Sequence, residues 1–123
     1  MINREVNCKG IKISNINKIV LISGPCQLET EQHAMDIAGK IQEITKKFKI
    51  GFIYKTSFDK ANRTSLKGKR GAGLDASLPI FDKIRNDLNV PVLTDVHNIE
   101  QCSIIANHVD VLQIPAFLCR QTD

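Results

Sequence analysis

Ile19-Val-Leu-Ile-Ser23, closed by Gly24-Pro25, is apolar at every position before its serine and rich in β-branched residues. A run of that kind reads as a strand buried on both faces, as in a parallel sheet. From Glu29 to Lys47 the residues Ala34, Ile37, Ala38, Ile41 and Ile44 then recur at helical spacing. Glu29 and Glu31 stand at the start of that stretch and Lys46, Lys47 and Lys49 at its end, the charge order a helix dipole favours. Gly51-Phe-Ile-Tyr-Lys55 is a second strand. Strand, helix and strand make one βαβ unit.

The order repeats. A polar segment from Ser57 to Gly73 leads to a helix over Leu74–Leu88, with Leu78, Phe81, Ile84, Arg85 and Leu88 at helical spacing and Pro79 in its first turns. Val90-Pro-Val-Leu-Thr94 is a third strand, Ile99–Ala106 a short helix, and Val109-Asp-Val-Leu-Gln-Ile114 a fourth strand. Strict alternation implies parallel strands joined by right-handed crossovers. An open doubly wound sheet and a (β/α)8 barrel both accept this pattern. The 123 residues suit a four-stranded open sheet, whereas a whole barrel needs about 250. Length alone favours the open sheet.

Composition narrows the function classes. Hydrophobic residues make up 42% and charged residues 24%, as in an ordinary globular domain, and the net charge is +4. No apolar run approaches the roughly 18 residues that span a bilayer, and Met1–Gly10 is too polar for a signal peptide. Neither membrane insertion nor secretion is expected, and a cytoplasmic location is. Cys8, Cys26, Cys102 and Cys119 contain no C-x-x-C pair, which disfavours a disulfide framework and a four-cysteine zinc site. The basic balance raises nucleic acid as a partner. Aromatics are only 5%, tryptophan is absent, and Phe52 and Tyr54 belong to a strand, so no base-stacking platform is expected.

In parallel α/β proteins ligands bind beyond the carboxyl ends of the strands. Those ends read Gly24-Pro-Cys-Gln27, Lys55-Thr-Ser57, Thr94-Asp-Val-His97 and Gln113-Ile-Pro115. Lys55, Asp95 and Gln113 would be costly to bury without partners. A salt bridge between Lys55 and Asp95 is the plain reading, and a polar ligand the functional one. After the second strand, Lys60, Asn62, Arg63, Thr64 and Ser65 offer an ammonium, an amide, a guanidinium and hydroxyls, a donor set suited to oxyanions. Lys67-Gly-Lys-Arg-Gly-Ala-Gly73 matches neither G-x-G-x-x-G nor a P-loop, and reads as a solvated basic loop. His33 reads as a solvent-facing helix residue and His108, at the opposite rim, as structural. His97, two residues past Asp95, is a candidate to touch the site.

Ser23-Gly-Pro-Cys26, Lys55-Thr-Ser-Phe-Asp-Lys-Ala-Asn-Arg63, Arg70-Gly-Ala-Gly-Leu74, Thr94-Asp-Val-His97 and Gln113-Ile-Pro-Ala-Phe-Leu-Cys-Arg-Gln-Thr-Asp123 occur in one order along the chain. Together they resemble the 3-deoxy-D-manno-octulosonate 8-phosphate synthase family. The broader relatives, the 3-deoxy-7-phosphoheptulonate synthases, lack the K-A-N-R segment in this form. The resemblance implies a (β/α)8 barrel, of which this chain supplies an N-terminal hairpin plug over residues 1–16 and the first four strands and three helices over 17–123. It implies a homotetrameric transferase that condenses phosphoenolpyruvate with arabinose 5-phosphate for lipopolysaccharide synthesis. Half a barrel alone is expected to be inactive, and the alternatives are a non-catalytic remnant or a 3-deoxy-7-phosphoheptulonate synthase-like relative.

The resemblance also carries over roles. Lys55, Ser57, Lys60 and Gln113 match positions that hold phosphoenolpyruvate, with Lys55, Lys60 and Asp95 in the catalytic group. Asn62, Arg63 and Thr64 match the segment gripping the sugar phosphate of a neighbouring subunit's site; Thr64 is serine in many relatives. Asp95 matches the acid near the aldose and the metal. Pro115-Ala116-Phe117 would lie near the subunit interface. Cys26 matches the metal-dependent branch, where the other branch has asparagine. A thiolate suits a divalent transition ion such as iron, zinc, manganese or cobalt. The remaining ligands are expected beyond residue 123.

Overall fold

The computed structural model describes residues 2–59 and 71–120. A hairpin of β1 (Val6–Cys8) and β2 (Ile11–Ile13) comes first. Its two turn residues, Lys9 and Gly10, both take positive φ, 46° and 86°. That is the turn whose twist suits a two-residue hairpin, and Gly10 adopts it at no steric cost. Asn7 Oδ1 accepts a hydrogen bond from Gly10 N at 2.8 Å and holds the turn closed. The chain continues through β3 (Val20–Ser23), α1 (Glu31–Phe48), β4 (Gly51–Lys55), α2 (Leu74–Asp87), β5 (Val92–Asp95), α3 (Ile99–Ile105), β6 (Val111–Gln113) and α4 (Ala116–Cys119).

All four later strands are parallel and lie in the order β3-β4-β5-β6. That order settles the choice between open sheet and barrel, against the open sheet that the length favoured. A doubly wound sheet reverses its strand order to put helices on both faces. Right-handed crossovers taken in sequence put every helix on the same face, as in a barrel wall. The burial agrees. Phe52, Tyr54 and Val92 pack outward with Ala34 and Ala38 of α1, Phe81 and Ile84 of α2 and Ile105 of α3. Ile53 and Leu93 point the other way and pack with Cys8, Ile11 and Ile13 of the hairpin and with Val20 and Val111. The architecture is four consecutive βα units of a (β/α)8 barrel with a hairpin under their inner face.

Local chemistry explains the boundaries. The helix expected from Glu29 starts at Glu31, because Thr30 serves as its N-cap and accepts from His33 N at 3.2 Å. It ends where Lys49 turns left-handed, at φ 53°. Ile44, expected in the apolar stripe, is half exposed instead. Thr45 takes the inward position, its hydroxyl satisfied by donating to the carbonyls of Ile41 and Gln42 at 3.0 Å. Asn98 caps α3 by accepting from Gln101 N at 3.0 Å. The third strand starts two residues later than expected, after Pro91, which has no N–H to give. No helix among the described residues is long and apolar enough to cross a membrane.

The two outer strands carry exposed apolar side chains: Ile22 on β3 and Ile19 before it, Leu112 on β6 and Ile114 after it. An unpaired strand edge with apolar flanks is a template for further strands.

Candidate functional site at the carboxyl ends of the strands

Parallel register puts cross-strand partners on the same face. Lys55 partners Leu93 and Asp95 partners Gln113, so Lys55, Asp95 and Gln113 all belong to the inner face, above the hairpin layer. They are the last residues of β4, β5 and β6. The ladder runs on past them: Thr56 N donates to Leu93 O at 3.3 Å, and Val96 N to Gln113 O at 3.0 Å. Thr94 donates its hydroxyl to Thr56 O at 2.8 Å from the buried outer side. The strand ends are therefore tied together by backbone before any ligand arrives.

The loops beyond are joined too. Leu28, fully buried after β3, donates its N–H to Ser57 O at 2.8 Å. Phe58 O accepts from Gly73 N at 3.1 Å. Gly24 lies directly against the backbone of Lys55, where any side chain would overlap the Lys55 carbonyl. The loop bearing Cys26 is pressed onto the end of β4, with the Cys26 thiol exposed.

The charges are arranged differently from the plain expectation. Lys55 and Asp95 do not pair. Among the described residues no carboxylate lies within ion-pair distance of Lys55, which is half-buried. Asp95, 8% exposed, instead meets His97: Oδ2 is 2.8 Å from Nε2. Its other oxygen, Oδ1, is buried with no hydrogen-bond partner among the described residues. A half-buried ammonium and an unpartnered carboxylate oxygen on one face are costly unless a ligand completes them. Ser57 is buried and already engaged. Lys60, Asn62, Arg63 and Thr64 lie outside the described residues, as do Lys67, Lys69 and Arg70. A cleft of about 230 Å³ opens beside His97. Its walls include Val96, Ile99, Cys102, Ile114 and Leu118, an apolar set unsuited to a phosphate.

Among the described residues no three His, Cys, Asp or Glu side chains converge as a metal site would require. Cys26 offers one soft donor and no more. Of the other histidines, His33 is exposed, and His108 Nδ1 pairs with Asp82 Oδ2 at 2.7 Å below the sheet. His33 thus faces solvent from the first turn of α1, and His108 lies at the opposite rim, as expected.

Residues 3–123 match the DAHP synthetase I family. The chain belongs to that family. Within the DAHP synthetase I family it is 66% identical over 121 residues to a protein of Chelativorans sp. (strain BNC1). It is 58% identical to one from Mesorhizobium japonicum and 54% identical to one from Brucella ovis. Each of these relatives is named 2-dehydro-3-deoxyphosphooctonate aldolase. The matches cover 98% of this chain but 44% of each relative, so the chain spans less than half of their length. Four βα units out of a barrel's eight agree with that share.

Proposed function

We propose that these residues form part of a barrel that condenses phosphoenolpyruvate with D-arabinose 5-phosphate, giving 3-deoxy-D-manno-octulosonate 8-phosphate and phosphate. Its setting would be cytoplasmic lipopolysaccharide synthesis, in a homotetramer. The observation that carries the reading is the shared inner face of Lys55, Asp95 and Gln113, with Lys55 and Asp95 Oδ1 both unpaired among the described residues. In the reaction the alkene carbon of phosphoenolpyruvate bonds to the aldehyde carbon, and the aldehyde oxygen takes up a proton. Water adds to the neighbouring carbon, whose bond to phosphate oxygen breaks as phosphate leaves. Lys55, Lys60, Ser57 and Gln113 would hold phosphoenolpyruvate. Asn62, Arg63 and Thr64 would hold the sugar phosphate. Two anionic substrates repel, so fixed cations on one rim both screen and orient them.

The test is a graft: these 123 residues replace their counterpart in the Chelativorans sp. relative. Phosphate release that requires both substrates is expected. A folded graft that releases none would overturn the reading, and a seven-carbon product would assign a 3-deoxy-7-phosphoheptulonate synthase-like relative. Arg63→Ala in the active graft should weaken arabinose 5-phosphate binding by tenfold or more, on the order of one charge-assisted hydrogen bond. Phosphoenolpyruvate affinity should stay within about twofold by the same scale. Equal losses for the two ligands would contradict the assignment of Arg63.

Cys26 would supply one thiolate to a divalent transition ion, with the other ligands beyond residue 123. Bound there, the ion would orient the aldehyde or a water. Chelator treatment of the graft is expected to abolish turnover, and Cys26→Ala to lower its metal content measured by atomic emission. Full activity in metal-free protein would remove the ion from the proposal.

A second reading rests on the exposed Ile19, Ile22, Leu112 and Ile114 at the outer strands. The isolated 123-residue chain is then a self-associating remnant without turnover. Sizing it and assaying phosphate release separates the two.

A further inference from the structure

The two oxygens of Asp95 have different surroundings. Oδ2 is bound to His97 Nε2, and Oδ1 is buried and unpartnered among the described residues. His97 is fixed from three directions. Its backbone N donates to Gln101 Oε1 at 2.8 Å. Its ring stacks on Phe58, with centroids 5.3 Å apart and planes 28° from parallel. Its Nε2 meets Asp95. Phe58 is itself 2% exposed and anchored by the bond from Gly73 N to its carbonyl. An imidazole already held by its backbone and by one ring face does not follow the carboxylate; the carboxylate follows it. A carboxylate with one oxygen tethered has a fixed plane, so the lone pairs of the other oxygen have a fixed direction.

We infer that His97 is a positioning residue: it locks Asp95 through Oδ2 and so reserves Oδ1 to accept a hydrogen bond from an O–H donor at the reacting centre. The inference deepens the proposed function and rests on it for the identity of that donor, an aldose hydroxyl or the added water. It also accounts for a buried acceptor that would otherwise go unmet.

A double-mutant cycle in the grafted barrel tests it. His97→Ala is expected to lower kcat/KM by about 10–100-fold, the usual effect of losing an orienting partner. His97→Gln, whose amide nitrogen reaches toward the Nε2 position, should recover most of that loss. In an Asp95→Asn background, His97→Ala should change kcat/KM by no more than about twofold, because a residue acting through another has nothing left to act on. A rise in KM for arabinose 5-phosphate alone would identify the donor as the aldose, and a fall in kcat with both KM values unchanged would identify it as water. Additive effects of the two substitutions would overturn the inference. A crystal structure of the His97→Ala graft decides it without turnover: the Asp95 carboxylate is expected to leave its present plane, and an unmoved carboxylate would refute the role. An unsubstituted graft that folds but does not turn over would instead count against the proposed function alone.

Discussion

Gly24→Ala is expected to destabilise the barrel by about 3 kcal/mol, the upper end of what overpacking costs, and to abolish activity in the graft. A Cβ at this position would overlap the Lys55 carbonyl oxygen and stand 2.9 Å from its carbonyl carbon. Both obstacles are backbone, so no rotamer change relieves them. Either β3 retreats or the end of β4 does, and Lys55 moves with it. The cause is space rather than conformation, since Gly24 is not among the residues with positive φ. Gly39, inside α1, is the internal control: a Cβ there meets nothing within 4 Å. Gly39→Ala should stabilise by about 0.5–1 kcal/mol, the helix preference of alanine over glycine. Urea unfolding of both variants gives the comparison. Equal midpoints would show that the loop bearing Cys26 is not packed against Lys55 as described.

Gly24 also marks how far the sequence could be read. Ile19–Ser23 announces a strand because a buried parallel strand needs apolar residues on both faces, and Gly24-Pro25 announces its end. The alternation of strands and helices follows from hydrophobic spacing, and all four βα strands lie where spacing puts them. The choice between open sheet and barrel does not follow, because it depends on which strands are neighbours. Local pattern is silent on that, and length pointed the wrong way. Only the motif resemblance indicated a barrel, and the sequential strand order then bore it out. α4 was missed because four residues after Pro115 are too few to show a period.

The site was legible at the level of strand ends and no further. Lys55, Asp95 and Gln113 share a face because they close strands in register, which spacing can suggest. That Asp95 would pair with His97 rather than Lys55 could not be read, since a lysine on the next strand and a histidine two residues on are equally near in sequence logic. The deciding contact, Phe58 against the His97 ring, joins two loops far apart in the chain. Its one signal was an aromatic placed just past a strand end among polar residues.

Asp110→Ala should cost about 3 kcal/mol, while Asp95→Asn should change stability by less than about 1 kcal/mol and lower turnover at least a hundredfold. The two aspartates sit at opposite ends of neighbouring strands, and their surroundings differ in kind. Asp110 is fully committed. Oδ1 pairs with Lys9 of the hairpin turn at 3.3 Å and with Arg85 of α2 at 3.2 Å, and Oδ2 accepts from Val92 N at 2.9 Å. Arg85 Nη1 also donates to Asn107 O at 3.2 Å. One side chain thus fastens the hairpin, a helix and two strands; removing it leaves Arg85 with only Asp82 and the Asn107 carbonyl among the described residues and strands the Val92 N–H. The figure stays at the lower end for a buried pair because Lys9 is 44% exposed and partly screened by water. Asp95 keeps one oxygen uncommitted among the described residues, so its carboxyl group adds little to the fold beyond its bond to His97. Barrels divide their labour this way, with stability at the amino ends of the strands and chemistry at the carboxyl ends. Measured unfolding and turnover of both variants would reverse the assignment if Asp95→Asn proved the more destabilising, or if Asp110→Ala lost activity without losing stability.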